Sequence, residues 1–480
     1  MAVSEKPTHQ KTRIVSVVAA TAIALACGTN YAYSAWAPQF AEKLQLSTTQ
    51  SNIIGTAGNM GMYAAGIPVG MITDRKSPRL AALIGVFALF AGYYPIRIAY
   101  DDGAGSMSVA ILSFCSFLSG VGSCSAFQAA MKVATLNWPT HRGTATAFPL
   151  AAFGLSAFFY TFIAGIAFPG NTSSLLALLS FGTSMVVLAA LPFLHVVDHK
   201  TGTGYAVLPS NERTRRNSNV LHQTSSNRSK HSSRYSSSSI PQLEPNVTGL
   251  ALLYKFEFWQ IWVIMGLLTG VGLMTINNVG HDAQALWNHW DPTASKDFVA
   301  HRQLWHVSII SLGSFSGRLL SGIGSDVIVK RLSGSRFWCV VVAAAVFLVA
   351  QICATRIENP NHLWAVSGLC GLAYGILFGV LPAVVVDAFG PDNFAVNWGV
   401  MTLAPVVSGN IFNLFYGAVY DSHSEVQAGG EFNCDEGIVC YKAAYYVTLV
   451  SSALGIVACL WAIQTESVKR KAEELEDHRA

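Results

Sequence analysis

Long apolar runs recur along most of this chain, each about 20 residues or more, which is the length at which a helix crosses a bilayer. Six of them precede a long polar stretch and six follow it. We therefore predict an all-α membrane protein with 12 transmembrane helices in two six-helix bundles. The predicted spans are Ile14–Trp36, Asn52–Ile72, Leu80–Tyr100, Ser108–Met131, Thr144–Phe168, Ser174–Val196, Phe258–Val279, Leu304–Gly324, Phe337–Thr355, His362–Ala388, Trp398–Tyr420 and Ala443–Ile463.

The composition agrees with a membrane protein and argues against other classes. Hydrophobic residues make up 52% of the chain and charged residues only 12%, against about 25% charged residues in a typical soluble domain. The net charge of +4 does not indicate a nucleic-acid partner, because the basic residues stand in loops between apolar runs. The nine cysteines include no Cys-x-x-Cys pair, and the chain has no Walker, His-Glu-x-x-His or Ser-His-Asp pattern. We expect no metal, no cofactor and no enzymatic activity.

The polar stretch between the two groups of spans is rich in Ser, Asn and Arg. It has too few apolar residues to build a core, so we predict a disordered linker. The predicted domains are a leader at 1–13, a bundle at 14–196, the linker at 197–256, a second bundle at 257–464 and a tail at 465–480.

Lysine and arginine are concentrated in alternate loops, and this bias sets the orientation of a membrane protein. It predicts that both termini and the linker are cytosolic, in a plasma membrane or a vacuolar membrane. The sequon at Asn171 then lies outside and is a candidate for glycosylation. Cys434 and Cys440 lie in the last outer loop, an oxidising setting in which they form either a disulfide or two free thiols.

Arg318 stands inside the eighth apolar run, where an ionised side chain is costly. Translocon scales put the cost at about 2.5–3.5 kcal/mol near a helix centre, so such a residue faces the bundle interior or an aqueous cavity. Its guanidinium is always charged and offers a planar fork that fits a carboxylate. Arg318 is therefore our candidate for binding an anion. The alternative is a structural arginine that binds backbone carbonyls or pairs with Asp326.

Each half of the chain has a glycine one helical turn before an aspartate that opens a basic loop. Asp74 is followed by Arg75 and Arg79 in the first half, and Asp326 is followed by Lys330 in the second. A charge pair that holds in only one conformation can bias an equilibrium between two conformations. We interpret these five residues as a gate on the cytosolic side, and an ordinary positive-inside cluster is the alternative.

His281 and Asp282 follow the seventh apolar run at its outer end. A histidine beside an acid could relay protons. We favour the simpler interpretation, a solvated loop.

Several different short motifs stand in the two halves of the chain, each at a particular span. They are the Gly-x-x-x-Asp-Arg pattern that ends at Arg75, Gly28-Thr-Asn-Tyr31, Arg142-Gly-Thr144, Gly270-Val-Gly272 with Asn277-Asn278, Gly317-Arg318, and Gly371-Leu-Ala-Tyr374-Gly375. As a set they resemble the nodulin-like branch of the major facilitator superfamily, whose relatives include monocarboxylate carriers and oxalate/formate exchangers. The resemblance implies a small organic anion as substrate. Span eleven lacks the lysine that oxalate exchangers have there.

In that superfamily, spans one and seven line the central cavity, which makes their polar residues candidates for substrate binding. Amide and phenol groups can donate to or accept from a carboxylated ligand. Hydrogen bonds between helices are the alternative for each candidate. The candidates are Asn30, Tyr31, Tyr33, Asn277 and Asn278, with Gln128 in span four and Tyr374 in span ten.

Taken together, these features predict a secondary active transporter that works as a monomer in a lipid bilayer. We expect it to move a small organic anion, such as a monocarboxylate, by alternating access, coupled to protons or to exchange. The competing hypothesis is a transport-incompetent membrane receptor with the same fold. The polar residues in the predicted spans favour transport, because their loss would be expected of a receptor.

Overall fold

The structure is a computed structural model of the 480-residue chain. It describes residues 7–138, 142–196, 247, 249–332, 334–390, 394–426 and 432–477. The predicted linker up to residue 246 lies outside the described residues, as do the side chains of Asp74 and Lys330. What the sequence predicts for these parts stays a prediction.

The first group of helices lies before residue 197. Its α-helices are α1 (Pro7–Cys27), α2 (Ala37–Leu44), α3 (Thr48–Ala64), α4 (Gly66–Arg75), α5 (Pro78–Asp102), α6 (Val109–Asn137), α7 (Arg142–Ala167), α8 (Thr172–Ala177) and α9 (Thr183–Ala190). A 3-10 segment, Thr29–Ala35, joins α1 to α2, and a π-helical turn, Leu178–Gly182, joins α8 to α9. A second 3-10 segment, Leu191–Phe193, follows α9.

The second group begins with a 3-10 segment, Gly249–Tyr254. Its α-helices are α10 (Phe256–Trp290), α11 (Lys296–Leu332), α12 (Phe337–Ala354), α13 (Trp364–Phe389), α14 (Phe394–Met401), α15 (Leu403–Ser422) and α16 (Val439–Asp477). A 3-10 turn, Pro360–His362, precedes α13. The strands β1 (Glu425–Val426) and β2 (Phe432–Asn433) pair antiparallel, with Glu425 opposite Asn433. Both groups of helices belong to one compact unit.

Eleven helical segments in the described part of the chain are long and apolar enough to cross a membrane. The second predicted span is not among these eleven segments. It is made of α3 and α4, which are separated at Ala65, and α3 has only 17 residues. The all-α membrane fold is confirmed, whereas the count of 12 transmembrane helices is not.

Side-chain caps explain where several spans begin. The Ser47 hydroxyl precedes α3 and accepts from the backbone N–H of Gln50, and Oε1 of Gln50 accepts from the backbone N–H of Ser47. The Ser77 and Ser108 hydroxyls accept from the backbone N–H groups of Leu80 in α5 and Ile111 in α6. A helix begins with N–H groups that have no partner within it, and a serine oxygen satisfies one of them.

Glycine allows the helices to pack closely inside each group. A Cβ atom at Gly61 of α3 would lie 2.1 Å from the carbonyl oxygen of Phe117 on α6. One at Gly317 of α11 would lie 2.3 Å from the carbonyl oxygen of Leu372 on α13. Small residues are the usual means by which membrane helices approach one another, because lipid supplies no hydrophobic force between them.

Large apolar side chains cover the outside of the bundle, including the exposed Phe87, Ile166 and Ile323. A patch of this kind on a soluble protein would be an aggregation site. In a bilayer this apolar surface faces lipid, and many polar side chains are buried in the interior of the bundle.

Candidate functional site

Arg318 of α11 points between the two groups of helices and is only 5% exposed. Its Nη1 donates to the carbonyl oxygen of Leu150 on α7 at 2.8 Å. The guanidinium carbon lies 5.3 Å from the centre of the Phe153 ring, and Nε has no hydrogen-bond partner. A Cβ atom at Gly154 would lie 2.9 Å from Nη1, so the glycine leaves room for the guanidinium.

No carboxylate within the described residues forms an ion pair with Arg318. The suggested pairing with Asp326 is wrong, because the Asp326 carboxylate lies 3.1 Å from Nη1 of Arg336 instead. The alternative of a structural arginine is therefore supported only by the hydrogen bond from Arg318 to the carbonyl oxygen of Leu150.

Three tyrosine hydroxyls meet beside Arg318 and interact electrostatically with its guanidinium. The Tyr63 hydroxyl lies 2.7 Å from that of Tyr374 and 2.9 Å from that of Tyr31. Tyr31 and Tyr374 are 3.3 Å apart at their hydroxyls. Tyr31 and Tyr63 belong to the first group of helices and Tyr374 to the second. This tyrosine cluster therefore joins the two groups next to the buried cation.

Asparagine side chains form a second polar layer, nearer the outer end of α10. Nδ2 of Asn59 donates to Oδ1 of Asn277 at 3.4 Å, across the two groups of helices. Nδ2 of Asn278 donates to Oδ1 of Asn413 on α15 at 2.9 Å. Nδ2 of Asn277 and Oδ1 of Asn278 are buried without a partner. The layer therefore retains one free donor and one free acceptor.

Three of the candidate residues make hydrogen bonds between neighbouring helices. Asn30 donates to the carbonyl oxygen of Gly58 at 3.0 Å. The Tyr33 hydroxyl donates to the carbonyl oxygen of Ser51 at 2.5 Å. Gln128 donates to the carbonyl oxygen of Gly66 at 2.9 Å.

The prediction of a solvated loop at His281 and Asp282 is wrong. Helix α10 continues to Trp290, past the predicted end at Val279, and both side chains are buried inside it. Asp282 accepts hydrogen bonds from the hydroxyls of Tyr416 at 2.7 Å and Tyr445 at 2.5 Å. Asp282 ended the apolar run in the sequence, but its partners lie on the distant helices α15 and α16.

The two groups of helices are held together at the predicted outer side. The carboxylate of Asp421, at the end of α15, accepts from the backbone N–H groups of Thr48 at 2.7 Å and Thr49 at 2.9 Å. Nε2 of Gln39 donates to Oε1 of Gln303 at 2.5 Å. An ion pair between Lys296 and Glu42 lies nearby.

Arg75, Arg79 and Asp326 are the gate residues whose side chains the structure describes at the predicted cytosolic side. Arg75 is exposed, and Nε of Arg79 donates to the carbonyl oxygen of Leu194 at 2.9 Å. Arg336 bridges Asp326 and Asp387, with Nε of Arg336 2.8 Å from the Asp387 carboxylate. Sequence reasoning grouped Asp326 with Lys330 in the predicted gate. It missed Arg336, which lies farther along the chain and forms an ion pair with Asp326.

Two outer features complete the described site residues. Cys434 and Cys440 form a disulfide. Asn171 is exposed, and its Oδ1 accepts from the N–H of Ser174 at 2.9 Å at the start of α8. No group of three potential metal ligands occurs in the part of the chain that the structure describes.

Sequence reasoning missed Tyr63, Phe153 and Asn59, all of which contact a predicted site residue. The available signal for Tyr63 and Asn59 was their position in a glycine-rich span. Such a span packs closely, so its few large polar residues have to face the interior.

Two packed groups of membrane-spanning helices are also found in solved transporter structures, and these identify the fold. The crystal structure of a bacterial homologue of the human lysosomal transporter Spinster, inward-facing and unoccupied, aligns with a TM-score of 0.59 over 96% of each chain at 15% identity. A variant of the nucleoside transporter NupG aligns with a TM-score of 0.61, over 94% of this chain and 99% of that one, at 12% identity. The chain has the fold of major facilitator transporters.

Sequence comparisons narrow this class. A sequence model of the Nodulin-like family matches residues 13–223. The chain is 28% identical to the uncharacterized membrane protein YMR155W of Saccharomyces cerevisiae, over 97% of each chain. It is 25% identical to the probable transporter MCH1 of Gibberella zeae, over 94% of this chain and 90% of the relative. The predicted resemblance to the nodulin-like branch is confirmed, and these findings together support a membrane transporter.

Proposed function

We propose that this protein is a secondary active carrier of a small organic anion, whose carboxylate binds to Arg318. The observation that carries the proposal is a buried guanidinium with no anionic partner among the described residues. The free-energy cost of burying an unpaired charge is roughly several kcal/mol, even after the protein relaxes. A residue that provided only packing would not need that charge, whereas an anion site does.

The surroundings of Arg318 favour a ligand that carries a carboxylate. Guanidinium has five N–H donors, and a planar carboxylate can accept two of them in parallel. The Phe153 ring gives partial compensation through a cation–π contact. Nε and the free donor of Asn277 remain to be satisfied.

The tyrosine cluster supplies adaptable donors beside the same cation. Each phenol has one proton, and in this structure the three hydroxyls satisfy one another. A hydroxyl can rotate to donate to an incoming carboxylate. Since Tyr31 and Tyr63 come from one group of helices and Tyr374 from the other, a ligand there would contact both groups. That is the position expected for a site used in alternating access.

The contacts at the outer side suggest which conformation is present. Hydrogen bonds such as those of Asp421 and Gln303 join the two groups near the predicted outer ends of the spans. Among the described residues, the bonds that join the two groups lie at those outer ends or in the middle of the bundle. We interpret the outer side as closed in this conformation.

The test is uptake of labelled acetate, lactate and succinate into proteoliposomes, with and without a pH gradient. Replacing Arg318 by Lys keeps the charge but removes the fork. Loss of one charge-assisted hydrogen bond costs about 1.5–3 kcal/mol, so we expect an apparent affinity about 10- to 150-fold weaker. Arg318→Ala should abolish uptake while the protein still inserts and purifies as a single species.

Arg302→Ala is the matched control, because Arg302 lies on the same helix and stacks on Trp287 and Phe298, away from the tyrosine cluster. Uptake should remain close to that of the unmodified protein. Normal uptake by a well-folded Arg318→Ala protein would end the anion-site proposal. A low folded yield of that variant, with normal uptake per folded molecule, would make Arg318 a structural residue.

A further inference from the structure

A groove runs along the outside of the first group of helices, between α1 and α9. Its volume is about 440 Å³, and its lining is entirely apolar. One face of each helix supplies the lining, which includes Ile14, Val18 and Ala22 from α1 and Val186, Ala189 and Phe193 from α9 and the turn after it. None of these residues belongs to the proposed anion site. We call this feature the lateral groove.

The lateral groove has the shape of a slot for a hydrocarbon chain. Along α1 its lining extends for about 12 Å, since a helix rises 1.5 Å per residue. Ala19 and Ala190 lie at its floor and are only 6% and 8% exposed, whereas Val18 and Phe193 are 63% and 54% exposed at its sides. The groove is therefore long, apolar and open toward the lipid.

Hydrogen bonds fix the lateral groove at the end that is predicted to be cytosolic. The Ser16 hydroxyl lies 3.1 Å from the carbonyl oxygen of Phe193 and 3.0 Å from that of His195. Nδ2 of Asn137 on α6 donates to the same His195 oxygen at 2.8 Å. Nη2 of Arg79 lies 2.5 Å from Nδ1 of the His195 ring. These bonds hold the chain after α9 against α1, so the groove ends at a defined place.

Two basic side chains stand at that end. Lys11 is exposed and lies one helical turn before Val15, on the face of α1 that lines the groove. Arg79 is exposed, and its Nε donates at 2.9 Å to the carbonyl oxygen of Leu194, the residue after Phe193. Neither forms an ion pair with a carboxylate among the described residues. The groove thus combines an apolar slot with positive charge at one end.

We propose that the lateral groove binds one acyl chain of an anionic phospholipid from the leaflet on the predicted cytosolic side, with the lipid phosphate at Lys11 and Arg79. The chain buries its methylene groups against the apolar lining. The phosphate accepts charge-assisted hydrogen bonds from the ammonium and guanidinium groups. A soluble anion would leave the lining unused, and a neutral lipid would leave the two cations unused.

Selectivity for the headgroup distinguishes this site from the lipid that surrounds any membrane protein. Surrounding lipid covers the whole apolar surface and exchanges for other lipids with the same chains. A basic residue near the surface of an anionic leaflet contributes roughly 1 kcal/mol to binding, which is about fivefold in affinity. Two such residues should therefore favour an anionic lipid over a zwitterionic one about 25-fold in the lateral groove.

Photo-cross-linking of the full chain in phosphatidylcholine vesicles tests the proposal. The probe is phosphatidylglycerol with a photoreactive diazirine in one acyl chain, and the cross-linked peptides are mapped. We expect cross-links to concentrate on the α1 and α9 peptides that line the groove. Excess unlabelled phosphatidylglycerol should remove them, whereas phosphatidylcholine with the same chains, or soluble glycerol phosphate, should not.

Variants separate the headgroup contact from the chain contact. Lys11→Gln and Arg79→Gln should each lower the cross-linking about fivefold, and Arg79→Lys should restore it because the charge is kept. Ala189→Phe should abolish it by filling the groove from an exposed position. The matched controls are Val342→Phe, which adds the same bulk to an exposed position on α12, and Lys471→Gln, which removes an exposed cation from α16. Both should leave the cross-linking unchanged.

Several results would overturn the proposal. Cross-links spread evenly over the exposed apolar surface would mean surrounding lipid only, as would equal displacement by phosphatidylcholine. Cross-linking that persists in Ala189→Phe would exclude the groove as the binding place, and displacement by glycerol phosphate would indicate a headgroup site without a chain slot. An equal loss in Arg79→Lys and Arg79→Gln would remove Arg79 from the headgroup contact. Since no transport is measured, none of these results bears on anion binding at Arg318.

Discussion

Replacing Asp421 by Asn should release the outer contact between the two groups of helices. The first N–H groups of a helix lack partners within it and carry partial positive charge. Ser47 satisfies the N–H of Gln50 in α3, and the Asp421 carboxylate satisfies those of Thr48 and Thr49. The carboxylate therefore acts as an additional cap that is supplied by the other group of helices.

The magnitude follows from the bonds that would be lost. An amide keeps one acceptor oxygen and presents an NH₂ group to the other N–H, so one charge-assisted bond is lost. Such a bond contributes about 1.5–3 kcal/mol, and the partial exposure of Asp421 favours the lower value. The ratio of open to closed protein should rise about tenfold or more.

The assay measures the rate at which a membrane-impermeant maleimide labels Ser34→Cys from outside. Ser34 is fully buried at the outer contact, so labelling reports opening. The rate is compared at one fixed pH with and without Asp421→Asn. Glu358→Gln is the matched control, because Glu358 is an exposed acid in another predicted outer loop. An equal increase in both variants would mean that general charge loss causes the effect. An unchanged rate in Asp421→Asn would refute the reasoning about the helix cap.

Two further predictions concern the outer loops. Asn171→Gln should remove a glycan when the protein is made in eukaryotic cells, seen as a mobility shift that a glycosidase reproduces in the unmodified protein; no difference would contradict glycosylation at this sequon. Changing Cys434 and Cys440 together to Ala should lower the free energy of unfolding by about 2 kcal/mol, because the bond closes a loop of sequence separation 6. Denaturant unfolding measures this loss, and a difference near zero would show that the loop is already ordered without the bond.

The sequence predicted the spans well, because each helix has to be apolar over a bilayer's thickness. It predicted their ends less well where charged residues are buried. Asp282 ended an apolar run, yet Tyr416 and Tyr445 make it compatible with the interior. Neither tyrosine can be paired with Asp282 from sequence periodicity, because the partners are more than 130 residues away.

The direction in which a side chain points was the other feature that the sequence could not predict. The structure brings Tyr31 to Arg318 and Tyr374, whereas Tyr33, two residues later, faces Ser51 of the neighbouring helix. The 3-10 segment that follows α1 has three residues per turn instead of 3.6, which turns successive side chains differently from an α-helix. The sequence named both tyrosines as candidates and had no basis for separating them.

The interruptions in the second and eleventh spans occur side by side. The first is at Ala65, between α3 and α4, and the other is at Thr402, between α14 and α15. The Thr402 hydroxyl donates to the carbonyl oxygen of Tyr63, and a Cβ atom at Gly66 would lie 3.5 Å from Cα of Gly399. Two spans that lose helical continuity at the same depth provide a paired joint. The segments α4 and α14, on the predicted cytosolic side, can therefore bend about that joint while α3 and α15 stay in contact on its other side, so movement at one mouth of the protein need not displace the other.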